Sequence, residues 1–324
     1  MKAIIQTEYG SPDVLSLQEV DQPVVIANGV LVRVRATSVN AGDWHLMRGD
    51  PFLTRLIWGG IRKPKIQILG MDIAGTVEAV GKDVTQFQVG DEVFGDLSEC
   101  GFGAFAEYVC ATEAALALKP TNISFEQAAT VPGAALAALQ GLRDCGQIKS
   151  GQKVLINGAS GGVGSFAVQI AKALGAEVTA VCSTHKMAMM NTLGADRVID
   201  YTQTDITKNG QQYDLILDAA AYRSVFDYQP ILKPEGTYVM IGGSISRLFQ
   251  VLLFGSVISR MMGRKLKSLM TKSNSSDLVI LKDLIEAEKI VPFVDRTYSL
   301  SAVPEAIRQL EQRQVQGKVA ISIS

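Results

Sequence analysis

Short β-type runs dominate the first 120 residues: Val30 to Thr37, Ala74 to Val80 and Glu107 to Ala111 are separated by Gly, Asp and Pro punctuation, a pattern that predicts a mostly β domain. From Ser124 the texture changes to the Ala-rich helical stretch FEQAATVPGAALAALQGL, with Ser124 as N-cap and Gln127 as its reciprocal capping-box partner. This helix is expected to lead the chain into a second domain. There, apolar strands at Lys153 to Asn157, Glu177 to Cys182, Arg197 to Tyr201, Asp214 to Ala219 and Thr237 to Ile241 alternate with helical stretches such as Gly162 to Leu174 and Lys186 to Leu193. Near-continuous apolar strands joined by helices predict a doubly wound parallel sheet covered on both faces. The last segment, Val291 to Ser324, returns to short strands around a helix that turns Val303, Ala306, Ile307 and Leu310 inward.

A chain of 324 residues is long for one hydrophobic core, so two domains are expected. Lys plus Arg total 31 against 32 Asp plus Glu, which gives none of the basic footprint that nucleic acid requires. The most apolar run, Leu248 to Ser259, is flanked by Arg247 and Arg260 and is shorter than the roughly 20 apolar residues of a spanning helix. Together with an N-terminus that has no secretory apolar core, this predicts a cytoplasmic protein without a transmembrane span. The surrounding region, 244–276, then becomes basic at Arg264, Lys265 and Lys267. It could wall an acceptor pocket, cover a subunit interface, or make peripheral membrane contact through 244–270. Cys100, Cys110, Cys145 and Cys182 form no CxxC pair, so neither a zinc cluster nor a disulfide framework is expected.

The strongest chemical signal is the run VLINGASGGVG from Val154 to Gly164, a strand feeding a Gly-rich turn that opens a helix. Ala159, Ser160, Gly161, Gly162, Val163 and Gly164 would place a pyrophosphate on the helix N-terminus, Gly161 allowing close backbone approach and Gly164 close helix packing. Ala159 stands where the GxGxxG fingerprint has its first Gly, and the strand–turn–helix–strand context carries the reading instead. The second strand ends Val181-Cys-Ser-Thr-His-Lys186, without the acid that holds an NAD ribose. Ser183, Thr184 and Lys186 would suit a 2'-phosphate, so NADPH is expected over NADH.

Several longer motifs occur in order: SVNAGDWHLMRGD, LGMDIAGTVEAVGKDVTQFQVGDEVFG, GFGAFAEYV, AATVPGAALAALQGL, NGASGGVG, LGADRVIDY and the closing GKVAISIS. Over essentially its whole length the chain resembles the quinone oxidoreductase-like, zinc-independent branch of the medium-chain dehydrogenases/reductases. The resemblance implies an α/β protein with a GroES-like, mostly β catalytic domain from both chain ends, 1–123 and 291–324, around a Rossmann NADPH-binding domain, 124–290. It implies a homodimer extended edge to edge, with Lys265 to Thr271 as candidate edge strand. In the zinc alcohol dehydrogenases of that superfamily, a Cys ligand falls on Asn40 and a His ligand on Met71. Amide and thioether are poor zinc donors, so no metal is expected.

The same resemblance sets the nicotinamide against Thr130 to Gly133 and Ile241, Gly242, Gly243 and Ser244, Tyr201 near the 2'-phosphate, and Lys318 over the cofactor. Asn40 and Asp43 would line the acceptor side, and His45 falls where some relatives carry a proton-relay His, although the relay's hydroxyl partner is here Gly42. Asp43 and His45 could equally be structural. The expected reaction is hydride transfer from NADPH to a quinone, with alkenal or enone reduction as the alternative and an NADPH-binding sensing or structural module as the reading from another class.

Overall fold

The computed structural model describes residues 1–208 and 210–324, with the side chains of 256–262 outside the description. By contacts the chain forms two compact units, the first comprising Met1–Leu136, Lys272–Glu288 and Pro292–Ser324 and the second Ala137–Thr271 and Lys289–Val291.

The first unit is built on a seven-stranded sheet. Along it lie Val294–Ser299, Lys318–Ser322, Gly29–Val39, Asp72–Val80, Glu92–Asp96 and Leu116–Leu118, and Tyr108–Thr112 also pairs with Gly29–Val39. The terminal strand Lys318–Ser322 runs antiparallel to the inner strand Gly29–Val39, pairing Val319 with Val39 and Ile321 with Thr37, so the C-terminal strand completes a sheet begun in the first forty residues. Val32, Val34, Ile73, Val77, Val93 and Val319 are among the residues that fill its core. Against it the helix Val303–Glu311 packs Val303, Ala306 and Ile307 fully buried and Leu310 partly so, the face that its 3.6-residue periodicity predicts.

This unit also takes two helices that lie inside 124–290. Ser124 caps Phe125–Ala129 through the expected box, its hydroxyl accepting from Gln127 N at 3.2 Å while Ser124 N donates to Gln127 Oε1 at 3.1 Å. The helix then stops, and Pro132 opens a separate helix, Pro132–Gln140, rather than continuing one helix through the whole Ala-rich stretch. Proline lacks an N–H and disfavours helical geometry in the residue before it, but fits the first turn of a new helix. The second helix, Ser275–Glu286, is tied to the first unit by Thr121 N, which donates to Glu286 Oε1 at 3.0 Å, and by Asn122 Nδ2 to Ile285 O at 2.9 Å.

The second unit is a six-stranded parallel sheet in the spatial order Arg197–Asp200, Glu177–Cys182, Lys153–Asn157, Tyr213–Asp218, Leu232–Met240, Lys265–Ser268. Leu155, Ile156, Val178, Val181, Ile216 and Leu217 are completely or nearly completely buried, as central strands covered on both faces require. Lys265–Ser268 is an edge strand. The apolar run after Ser244 is one helix, Ile245–Met262, ended by Gly263 in the left-handed region. No helix among the described residues is long and apolar enough to cross a membrane. Three cations of the basic segment are held by carbonyls of this unit: Arg247 Nε by Tyr222 O at 3.2 Å, Arg264 Nε by Leu232 O at 2.9 Å, and Lys267 Nζ by Cys145 O at 2.8 Å. Lys265 of the same segment is exposed, and the side chain of Arg260 lies outside the described residues.

Candidate active site

In the second unit the strand Lys153–Asn157 runs into the turn at Gly158, which has φ of 72°, and the helix Gly162–Ala173 starts with Gly161 at its N-cap. The two motif glycines differ in what they do. A Cβ on Gly164 would lie 2.3 Å from Gly158 O and 2.5 Å from Ala159 Cα, so this Gly lets the helix sit on its own turn. A Cβ on Gly161 would meet only Gly158 O, at 3.5 Å, and would project into exposed space where an anion can approach. The first-turn N–H groups at Gly162, Val163 and Gly164 lack partners within their own helix, and the helix dipole adds positive potential there. Ala159 and Ser160 are buried beneath the turn.

Below it the carboxylate of Asp218, at the end of the neighbouring strand, accepts Asn157 Nδ2 at 2.8 Å and Tyr238 OH at 2.8 Å. Burial raises the Asp218 carboxyl above its ordinary range, and these hydrogen bonds oppose the shift. The same group accepts Ala220 N at 3.1 Å, so two adjacent strand ends are fixed under the turn. On the next strand Ile241 N donates to Asp218 O at 2.9 Å and Gly242 O accepts from Ala221 N at 2.9 Å. Gly243 has φ of 144°, and a Cβ there would strike Ala221 O at 2.5 Å.

At the ends of the two outer strands, Tyr201 N donates to Cys182 O at 3.1 Å, which brings Tyr201 and Ser183 to neighbouring strand ends. Tyr201 is exposed, and Ser183 and Lys186 are half-buried. Thr184 turns elsewhere. Its hydroxyl donates to the Asp200 carboxylate, which also accepts Thr202 N at 2.9 Å and Thr202 Oγ1 at 2.7 Å. Those hydrogen bonds, Thr184's first, hold Asp200 below the usual carboxylate range. The second strand ends without an acid, and the structure brings one beside it from the third.

In the first unit the residues expected on the acceptor side belong to a buried polar network whose hub is Asp72. Its Oδ2 accepts Ser38 Oγ at 2.7 Å, Asn40 Nδ2 at 2.8 Å and Lys318 Nζ at 3.2 Å, and its Oδ1 accepts Gly133 N at 2.8 Å. The Lys318 ammonium further donates to Asn40 Oδ1 at 2.5 Å and Val39 O at 3.3 Å, so all three of its protons have acceptors inside this unit. Lys318 is thus placed under Asn40 and locks the amide so that its oxygen faces the ammonium. Met71 lies beside this group, and a Cβ on Gly42 would come 2.6 Å from Met71 Cε. A side chain at 42 would therefore need only the terminal methyl of Met71 to move aside. Among the described residues no group of three His, Cys, Asp or Glu could hold a metal ion.

Asp43 is fully buried. Its carboxylate accepts Asn40 N at 2.7 Å and Gly70 N at 3.2 Å, which fixes the start of the helix Ala41–Arg48. Burial first, and to a smaller extent the charge of Asp72, pushes it up to about 7. Asp96 pairs with Asp72 across the sheet, and burial with the same neighbouring charge raises it to about 6. His45 faces away from this network: its Nδ1 sits 2.7 Å from Asp50 O and its ring stacks on Trp44. Since a carbonyl only accepts, Nδ1 carries the proton. Thr130 is buried with its hydroxyl donating to Gln127 O at 2.7 Å. Asp72, Asp96 and Asp218 were missed by the sequence reading; the available signal was an acid at the end of an otherwise apolar strand.

Comparison with known proteins agrees with this architecture. The family model described as the alcohol dehydrogenase GroES-like domain matches residues 27–121, and that described as zinc-binding dehydrogenase matches 193–321. The 2-methylene-furan-3-one reductase of Solanum lycopersicum is 33% identical over 332 residues, which cover 99% of this chain and 79% of that protein. The chain belongs to the medium-chain dehydrogenase/reductase family. The chloroplastic NADPH-dependent alkenal/one oxidoreductase of Arabidopsis thaliana is 32% identical over 99% of this chain and 79% of its own length. A solved structure, the quinone oxidoreductase from Coxiella burnetii, superposes with a TM-score of 0.89 at 29% identity, covering 100% of this chain and 99% of that one. This medium-chain dehydrogenase/reductase is therefore an oxidoreductase of a nicotinamide-dependent family, with the GroES-like and Rossmann-like folds of its relatives.

Proposed function

We propose that this protein is an NADPH-dependent reductase that delivers hydride to a quinone without the help of zinc. The observation that carries the reading is the Asn40 site: where a metal-dependent relative places a thiolate, this chain has an amide closed on a buried ammonium and carboxylate. Without a Lewis acid, the accessible chemistry is reduction of an acceptor that itself stabilises negative charge. Bound NADPH would supply the hydride and leave as NADP⁺, and a solvent proton would complete the hydroquinone. The residues that would hold it are the 159–164 turn, Ser183, Lys186 and Tyr201, with Thr130 and 241–243 beside the nicotinamide. The turn fits a pyrophosphate, because Gly161 leaves room where any side chain would intrude. Ser183, Lys186 and Tyr201 fit a 2'-phosphate, although Asp200 adds a negative charge near them. On this reading 1–123 with 291–324 is the catalytic domain, 124–290 binds NADPH, and the edge strand Lys265–Ser268 pairs two subunits.

A second reading, reduction of an alkenal or enone double bond, is favoured by the activities for which the tomato and Arabidopsis relatives are named. The test is oxidation of NADPH, with NADH as control, by chelator-treated protein offered benzoquinone, phenanthrenequinone and a short alkenal in parallel. Saturable quinone turnover supports the first reading and alkenal turnover the second. Tight NADPH binding without turnover would make the protein a sensing or structural module.

A further inference from the structure

The segment 51–65, PFLTRLIWGGIRKPK, takes no part in the network around Asp72, and its composition is unlike its surroundings. Phe52, Leu53, Leu56, Ile57, Trp58 and Ile61 are each 46–60% exposed, an unusual density of large apolar side chains on an open surface. The segment is nevertheless braced from behind. Tyr9 OH donates to Gly60 O at 2.8 Å, Arg55 Nε donates to Gly49 O at 2.8 Å, and the Arg55 guanidinium lies 4.4 Å from the centre of the Tyr9 ring. Thr54 and Pro64 face inward while Arg62, Lys63 and Lys65 stand exposed. Between 51 and 65 there are four cations and no acid, in a chain whose overall formal charge is -1. Leu56, Ile57, Trp58 and Ile61, together with Arg55 and Lys65, line a groove of about 420 Å³.

We infer that this face docks on an anionic lipid bilayer, with the apolar side chains entering the head-group boundary and Arg62, Lys63 and Lys65 on the lipid phosphates. Six exposed apolar residues including a Trp, with Arg62, Lys63 and Lys65 exposed beside them and Asp50 the one adjoining acid in sequence, are the complement of such a surface. A second copy of the chain fits poorly, since a two-fold contact would bring the three exposed cations of one copy close to those of the other. The inference stands independently of the acceptor.

The experiment is flotation of the full chain with vesicles of phosphatidylcholine alone and of phosphatidylcholine and phosphatidylglycerol in equal parts. The protein floats with the anionic vesicles, and high salt weakens the binding. Each cation near such a surface contributes about a fivefold factor, so R62E/K63E lowers partitioning at least tenfold. I57S/W58S does the same through the apolar contact, and neither pair removes a buried side chain. Failure of the unmodified protein to float, or flotation unchanged in both variants, overturns the inference. Self-association abolished by I57S/W58S, without vesicle binding, also overturns it and names a second copy as the occupant.

Discussion

Replacing Lys318 by Met tests whether the Asp72 network is a closed electrostatic unit. Met keeps most of the apolar stem and removes the ammonium, which lies 3.2 Å from Asp72 Oδ2 in a pair whose side chains are 4% and 0% exposed. At that distance, with an effective dielectric constant of about 20, the gross attraction is about 5 kcal/mol. Asp72 keeps three hydrogen-bond donors, from Ser38, Asn40 and Gly133, which offset part of that loss. The net destabilisation is therefore expected near the lower end of the range for a broken buried pair, about 3 kcal/mol. Both tryptophans, Trp44 and Trp58, belong to the first unit, so urea unfolding followed by tryptophan fluorescence reports on the part of the chain that contains the pair. Asp72→Asn in the Lys318→Met background should recover most of the loss, with a coupling energy of about 2 kcal/mol or more. A single-variant loss below about 1 kcal/mol, or strictly additive effects, would refute the picture of a desolvated pair that holds Asn40.

Asp43 makes stability depend on pH in a defined direction. Its folded pKa, about 7, lies above its unfolded value of about 3.9, so the folded state retains a proton that the unfolded state releases. Its contribution is complete below about pH 4 and is lost as pH rises through about 7; comparing the urea stability of Asp43→Asn with the unmodified protein should show a gap that shifts across that window by up to about 4 kcal/mol, and a flat gap would disprove the shift. Gly161→Val should leave the fold intact and abolish NADPH binding in a fluorescence titration, whereas Gly164→Ala should unfold the second unit by circular dichroism because its Cβ meets backbone. Lys186→Ala should weaken NADPH by about 2 kcal/mol and leave NADH nearly unchanged, as expected for loss of a charge-assisted phosphate contact; equal losses would place the phosphate elsewhere. Gly42→Ser should change first-unit stability in urea by less than about 1 kcal/mol, because its Cβ meets only the mobile end of Met71; a larger loss would show that the thioether cannot move.

The periodicities of the chain determined much of this by themselves. The strands Lys153–Asn157 and Glu177–Cys182 and the capping box at Ser124 follow from local rules: apolar continuity, turn residues and side-chain reach over three positions. The phosphate turn was legible for the same reason, since Gly158 to Gly164 acts through backbone conformation within a few residues. What the tertiary structure decided depends on partners far apart in sequence. Lys318 meets Asn40 and Asp72 across 278 and 246 residues, and no local pattern announces that its ammonium serves them rather than a cofactor. Thr184 and Asp200 meet only because their strands are neighbours in the sheet. Asp43 is perturbed by its depth, a property of the whole fold. Whether the Ala-rich stretch made one helix or two was fixed locally by Pro132, so that break is written in the sequence itself. Hydrogen-bond geometry over short separations is written in adjacent residues, whereas burial and long-range charge pairing exist only once the strands are assembled.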